Sequence, residues 1–221
     1  KDRLPNGLSK DRIHHYKGHF ESLAEIIGQI RPSLIYNIAS FYAREASPNN
    51  LNQLVESNLL FGLKLLEAIK TSGVKASIVN FGSYNQYYQN GSNFEPLNVY
   101  SALKNSFFEI LKLYSEELQF NYLNLILFDS YGKGDWRNKL LPTIRKSLLS
   151  GESLRLSDPK ISINLSHIDD IVHGALAASV FMETDPREKT YFLPGDEIEL
   201  GELISLVEKI INKTLPIEWH K

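Results

Sequence analysis

Tyr100-Ser-Ala-Leu-Lys104 is the pair in this sequence best placed to move a proton. On a helix, a spacing of four sets both side chains on one face. An ammonium beside a phenol stabilises the phenolate and lowers a pKa that is ordinarily about 10. Such a phenol trades a proton with a substrate alcohol or ketone near neutral pH. Alone the pair is weak: about one is expected by chance in a chain this rich in Tyr and Lys, so its context must support it. The bland alternative is a helix-start tyrosine followed by a solvated lysine. Ser83 supplies context. It closes the apolar run SIVNFGS, a strand end of the kind where open α/β sheets place their ligands.

The elements that must hold these residues follow from periodicity. RIHHY (12–16) reads as a short strand, followed by an amphipathic helix with Phe20, Leu23, Ile26, Ile27 and Ile30 at three-to-four spacing. Arg31-Pro32-Ser33 ends it. LIYNIAS (34–40) reads as a buried strand running into small residues. A long helix then spans 48–71, closed by Gly73 as its C-terminal cap. The strand 77–83, a polar loop through Pro96, a helix over 97–118 and the strand 122–128 complete this half. Strands alternating with helices of this length imply right-handed parallel crossovers. The predicted fold is therefore α/β, a Rossmann-like doubly wound parallel sheet. Later come a helix near 138–149, a short strand LRLS, and INLSHIDD opening a helix to about 182. A strand TYFLP, a helix over 200–212 and a short strand PIEWH finish the chain. The predicted division is 1–132 as a cofactor domain and 133–221 as a mixed substrate-side lobe, with 162–182 returning to the first.

Composition narrows the function. The 221 residues, 43% hydrophobic and 23% charged, suit a globular protein with a full core. Twenty-four Lys+Arg against 26 Asp+Glu give a net charge of -2, without the basic footprint that nucleic-acid binding needs. No apolar run approaches a membrane span. Cysteine does not occur, which removes disulfides, thiolate metal sites and cysteine nucleophiles and fits a cytoplasmic protein. His14, His15 and His19 cluster, but adjacent residues of a strand point to opposite faces and no acidic partner flanks them at metal-site spacing, so no metal site is expected. His167 and His173, beside Asp169 and Asp170, read as a helix cap with a charged first turn.

Taken together, these segments resemble the extended short-chain dehydrogenase/reductase family, the NAD(P)-dependent nucleotide-sugar epimerases, dehydratases and reductases. The resemblance rests on YNIAS (36–40), on ESNLLFGLKLLEAIK, on Ser83 with Tyr100 and Lys104, on LFDSYGKGDWRNKLLP (127–142) and on LSHIDDIVHGALAA (165–178). It implies a catalytic triad of Ser83, Tyr100 and Lys104. It also implies cofactor contacts by Ala39, Ser40, Asn58, Tyr100, Lys104 and Phe128, with NAD or NADP as the cofactor. The implied partner is a nucleotide-diphosphate sugar, held by Ser83, Gln86, Tyr88 and Arg137, with Lys139 a weaker candidate. The tyrosines 84, 87 and 88 are candidates to stack on a base or sugar. A homodimer through helices 48–72 and 97–118 is implied as well, with an apolar stripe exposed on both.

Two departures matter. The family's Gly-rich turn, which seats a pyrophosphate on a helix N-terminus, has no counterpart. The only G-x-G, Gly132-Lys-Gly134, follows a late strand and reads as a loop. Where the family usually carries an Asp near the adenine, this chain carries His19. The missing turn, with an apolar strand 34–39 left as an edge, suggests that the parent protein carries roughly 60 further N-terminal residues. Tyr84-Asn85-Gln86 after Ser83 lacks the acidic pair of dehydratases. The layout looks most like sugar-nucleotide 4-ketoreductases of the abequose and paratose type. A 4-epimerase is the alternative, and a non-catalytic binding relative, favoured by the missing glycines, is a second.

Overall fold

The computed structural model describes residues 9–87, 93–184 and 190–220. The chain forms two compact units: Lys1–Asn124 with Phe181–Thr190, and Leu125–Val180 with Tyr191–Lys221.

The first unit is built from alternating strands and helices. Helix α1 (Phe20–Ile30) starts at His19, whose Nδ1 accepts from the Ser22 amide at 3.3 Å. His19 is thus a helix cap, and no strand forms over 12–16. Strand β1 is Leu34–Asn37, shorter than predicted, so Ile38, Ala39 and Ser40 lie beyond it and are exposed. The long helix is three pieces: α2 (Leu51–Val55), a π-helical turn (Glu56–Leu60) and α3 (Phe61–Ser72), with Gly73 at φ 62° as its C-cap. Strand β2 (Ser77–Ser83), helix α4 (Val99–Leu118) and strand β3 (Tyr122–Leu127) follow. The sheet order is β1-β2-β3-β7, β7 being Thr190–Leu193, with β1 and β2 parallel; β1 is an edge strand among the described residues.

Apolar side chains at helical and strand periods close this core. Leu23 and Ile27 of α1, Leu65, Leu66 and Ile69 of α3, Phe107 and Leu111 of α4, Ile78 of β2 and Tyr122 of β3 are buried together. α4 lies close to α3 because Gly62 faces it: a Cβ there would stand 2.3 Å from the Phe107 ring. Within this core runs a row of amides. Asn37 Nδ2 donates to Asn80 Oδ1 at 3.1 Å, and Asn80 Nδ2 donates to Asn124 Oδ1 at 2.8 Å. Each sits two residues beyond an inward apolar residue (Ile35, Ile78, Tyr122), so the row shares their face of the sheet. A one-residue slip would turn any of these amides to the other face and strand its partners, so the row fixes register.

The second unit carries a three-stranded sheet of order β4-β6-β8, formed by Asp129–Tyr131, Ser162–His167 and Asp196–Glu199. A two-stranded parallel sheet joins β5 (Leu154–Leu156) to β9 (Ile217–Trp219). Helices α5 (Leu140–Ser150), α6 (Ile168–Thr184) and α7 (Leu200–Ile211) accompany them. INLSHIDD, expected to open a helix, begins within a strand over residues 162–167, and β4 and β8 are strands that the periodicity does not predict. Ile144, Ile204 and Leu215 form the buried centre of this unit.

Candidate active site

β2 carries its chain to Ser83, and the next turn is fixed by the sequence at once. Ser83 caps a short 3-10 turn (Tyr84–Gln86): the Asn85 amide donates to Ser83 Oγ at 3.4 Å, and the Ser83 amide donates to Gln86 Oε1 at 2.8 Å. The chain then returns alongside this turn. The Glu95 amide donates to the Gln86 carbonyl at 2.8 Å, and the Leu97 amide to the Asn85 carbonyl at 2.9 Å. Asn98 opens α4 immediately afterwards by a capping box with Ser101, Oδ1 accepting from the Ser101 amide at 3.0 Å. Tyr100 and Lys104 therefore sit in the first two turns of a helix tied directly to the turn that holds Ser83.

Both are buried, each 8% exposed. Lys104 Nζ donates to the Phe81 carbonyl of β2 at 2.7 Å and lies 5.8 Å from the centre of the Tyr100 ring. The Tyr42 ring meets the Tyr100 ring edge-on, centres 5.1 Å apart. Burial pushes the Lys104 ammonium down to about 8, because desolvation penalises the charged form. Among the described residues it makes no ion pair. A buried cation without a carboxylate is costly, and such groups cluster where chemistry needs them.

At the neighbouring strand end, Asn58 of the π-turn holds the segment after β1. Its Oδ1 accepts from Ser40 Oγ at 3.0 Å and from the Phe41 amide at 3.4 Å. Its Nδ2 donates to the Phe41 carbonyl at 2.8 Å and the Leu54 carbonyl at 2.9 Å. Asn58 therefore supports Ser40 through protein bonds; π-turns inside helices recur at functional sites. Ala39 and Ser40 are small and exposed, which leaves the backbone open to a ligand.

The remaining predicted residues sort differently. Gln86 is fully buried. Tyr87 is buried too, and burial, followed by Glu109, raises its phenol pKa. Tyr88 lies outside the described residues. Phe128 and Arg137 belong to the second unit, where the Phe128 ring lies 6.4 Å from Phe192. Arg137 forks onto Asp135, Nε to Oδ1 at 2.8 Å and Nη2 to Oδ2 at 2.7 Å, and Nη2 also donates to the Ser130 carbonyl at 2.9 Å. Lys139 pairs with Asp129 at 2.6 Å. Gly132–Gly134 is a turn, as expected, with the Asp135 amide on the Gly132 carbonyl at 3.3 Å. His167 caps α6, its Nδ1 accepting from the Asp169 amide at 3.3 Å. An open groove of about 690 Å³ in the second unit, lined in part by Lys160, Glu199, Lys209 and Trp219, contains none of the predicted residues. Sequence reasoning missed the Phe81 carbonyl and Tyr42: a backbone acceptor has no residue signature, and Tyr42 follows an irregular segment with no period to read.

These residues fit the reactive end of a nicotinamide dinucleotide. Open, small residues stand beyond β1, and a phenol with a buried ammonium stands beyond β2. No G-x-G-x-x-G turn for the pyrophosphate occurs in the sequence.

Comparisons with known proteins bear on the family and the fold. Residues 11–193 match the NAD dependent epimerase/dehydratase family. CDP-abequose synthase of Yersinia pseudotuberculosis is 32% identical over 200 residues, covering 90% of this chain and 69% of that protein. Among solved structures, UDP-glucuronic acid 4-epimerase from Bacillus cereus in complex with NAD superposes with a TM-score of 0.79 at 20% identity, over 90% of this chain and 66% of that one. UDP-glucose 4-epimerase from Thermus thermophilus, also with NAD, gives 0.75 at 20% identity over 91% and 69%. The chain thus spans about two thirds of the length of the relatives it matches. A Rossmann-like parallel sheet with a Ser83, Tyr100 and Lys104 pattern at its strand ends, joined to a match over most of its length, makes this chain a member of the NAD dependent epimerase/dehydratase family of enzymes.

Proposed function

We propose that this chain carries the catalytic centre of an NAD(P)-dependent nucleotide-sugar oxidoreductase, a 4-ketoreductase acting at C4 of the sugar. The observation that supports it most is Lys104, a buried cation held on the Phe81 carbonyl one helical turn from Tyr100 and beside the turn of Ser83. Bound NAD(P)H supplies the hydride. Tyr100 gives its phenolic proton to the C4 oxygen as the alcohol forms. Lys104 stabilises the phenolate left behind and, with Tyr100, Ala39 and Ser40, holds the nicotinamide side of the cofactor. Ser83 hydrogen-bonds the same oxygen and orients it, while Arg137 binds the diphosphate and Phe128 borders the cofactor. The likeness to CDP-abequose synthase favours a cytidine diphosphate sugar as substrate. No carboxylate follows Ser83, where Tyr84, Asn85 and Gln86 stand, so water elimination across the sugar has no acid–base pair there.

A homodimer is part of the proposal, with Leu51, Leu60, Val99 and Leu113 exposed on the helices expected to pair. A more regular exposed row, Ile168, Val172, Leu176 and Val180, runs along α6, so either face can bury apolar surface. Cytoplasmic residence belongs to the same reading: the cysteine-free sequence asks for no oxidising compartment, and no helix among the described residues is long and apolar enough to cross a membrane.

The full-length enzyme tests the reaction directly. With a 4-keto nucleotide sugar and NADPH or NADH, a reductase consumes one reduced cofactor per sugar, followed by nicotinamide absorbance and mass spectrometry. Interconversion of 4-hydroxy epimers with no net cofactor consumption would instead make the protein a 4-epimerase, which uses the same three residues in both directions.

A further inference from the structure

Gln86 is fully buried in the turn after β2, and its two ends are unequally used. Oε1 accepts the Ser83 amide at 2.8 Å, while Nε2 has no partner among the described residues. A carboxamide enclosed with half its capacity unspent is costly, so the bond it does make has to matter. Its backbone is used as well. The Gln86 carbonyl accepts the Glu95 amide, and the adjoining Asn85 carbonyl accepts the Leu97 amide, one residue before the Asn98 cap of α4. One residue thus reaches Ser83 through its side chain and the approach to Tyr100 through its main chain.

We propose that Gln86 is a positioning residue of the active centre: it acts through Ser83, setting that hydroxyl for the substrate oxygen, and does not itself touch the nucleotide sugar. The proposal rests on Ser83, Tyr100 and Lys104 being the catalytic set. Residues of this kind matter because misplacing a reacting group by about 1 Å can cost about 100-fold in rate. Met is close to Gln in length and leaves the fold of the turn to its backbone bonds, but it has no oxygen to accept the Ser83 amide. Glu keeps an acceptor oxygen for the Ser83 amide and puts a second, ionisable oxygen in place of the unpaired Nε2.

The test uses the full-length enzyme with its nucleotide sugar and reduced cofactor. Gln86→Met is expected to lower kcat by about 10- to 100-fold with KM within about threefold, and to speed hydrogen exchange of the Ser83 amide by at least about tenfold. Combined with Ser83→Ala, it should add nothing beyond the loss of Ser83→Ala alone, because both act on one hydroxyl. Multiplied losses, or unchanged exchange at Ser83, overturn the proposal. Gln86→Glu should retain both kcat within about threefold and the protected Ser83 amide; if Gln86→Met does not fold, this variant decides alone, and a fall to the level of Ser83→Ala rejects the idea. Should Ser83→Ala and Tyr100→Phe both turn over like wild type, the catalytic set itself fails, which is a different result from a Gln86 variant failing on its own.

Discussion

Two cations in this molecule are held in opposite ways. Lys104 is buried against a backbone carbonyl, with no carboxylate paired to it among the described residues. Arg137 sits 39% exposed at its side chain, with both arms of its fork on Asp135. The second arrangement is how proteins ordinarily satisfy a charge: a bidentate partner fixes the guanidinium and water solvates the rest. The first is poor as structure. An apolar residue of similar size would serve packing better, so an unpaired buried ammonium makes sense where its charge is needed at one step. The contrast separates the residue proposed to serve the proton transfer from one that, beside its proposed diphosphate contact, is fixed by a loop carboxylate.

The sharpest way to break that contrast is at Tyr100, the group Lys104 is argued to serve. Tyr100→Phe keeps the ring against Tyr42 and removes the proton, so kcat in the full-length enzyme should fall by about 10²–10⁴ with the far-ultraviolet circular dichroism unchanged. Turnover close to wild type would reduce Lys104 to an expensive packing residue.

A pH series sharpens it further, because Lys104 predicts opposite trends for activity and stability. Its ammonium is lost as pH rises through about 8, so kcat should decline on the alkaline side with a midpoint near there. In the unfolded chain the same group keeps its proton up to 10.5. Between about 8 and 10.5 the unfolded state binds more protons, and the penalty of burying the charge is relieved, by at most on the order of 3 kcal/mol. Stability from urea unfolding should therefore gain a rising contribution where activity falls, and that contribution should vanish in Lys104→Met. Activity and stability declining together across this window would count against the assignment.

The smallest effect belongs to the paired cation. Arg137 holds the Asp135 carboxyl below its usual range, so the contribution of this pair is present at neutral pH and is lost only as acid titrates below the ordinary value of 3.8. Asp135→Asn should cost about 1 kcal/mol in urea unfolding at pH 7, given how exposed the guanidinium is, and should leave kcat within about threefold. A hundredfold loss of kcat in that variant would place Asp135 in the chemistry and erase the distinction drawn above.

What could be read from the sequence follows the range of the interactions involved. SIVNFGS is a strand end to end, and Gly73 caps α3 as predicted, because apolar period and left-handed glycine are local properties. INLSH was misread, since its alternation over a few residues looked like the entry to the Ile168 helix and pairs with β4 and β8 only through distant contacts. The spacing of Tyr100 and Lys104 put both on one face without any structure. Nothing in Ser83-Tyr-Asn-Gln86 shows that the Gln86 amide folds back onto the serine and is enclosed there. The spacing of Asn58 likewise does not show that it bonds to Ser40, Phe41 and Leu54.

In the first unit, from Phe20 on, the sequence by itself determined the alternation of strands and helices, the parallel pairing that alternation requires, and the residue types at the strand ends. These depend on periods of two and of 3.6 and on spacing along a helix, all properties of neighbouring residues. Only the tertiary structure decided that Lys104 faces Phe81 with no counter-ion among the described residues, that Asn37, Asn80 and Asn124 join across three strands, and that Arg137 spends its fork on Asp135. Each of those outcomes is a matter of burial and of which polar group stands opposite, and the free energy of a buried charge or amide is set by its partners, which the linear order of residues does not contain.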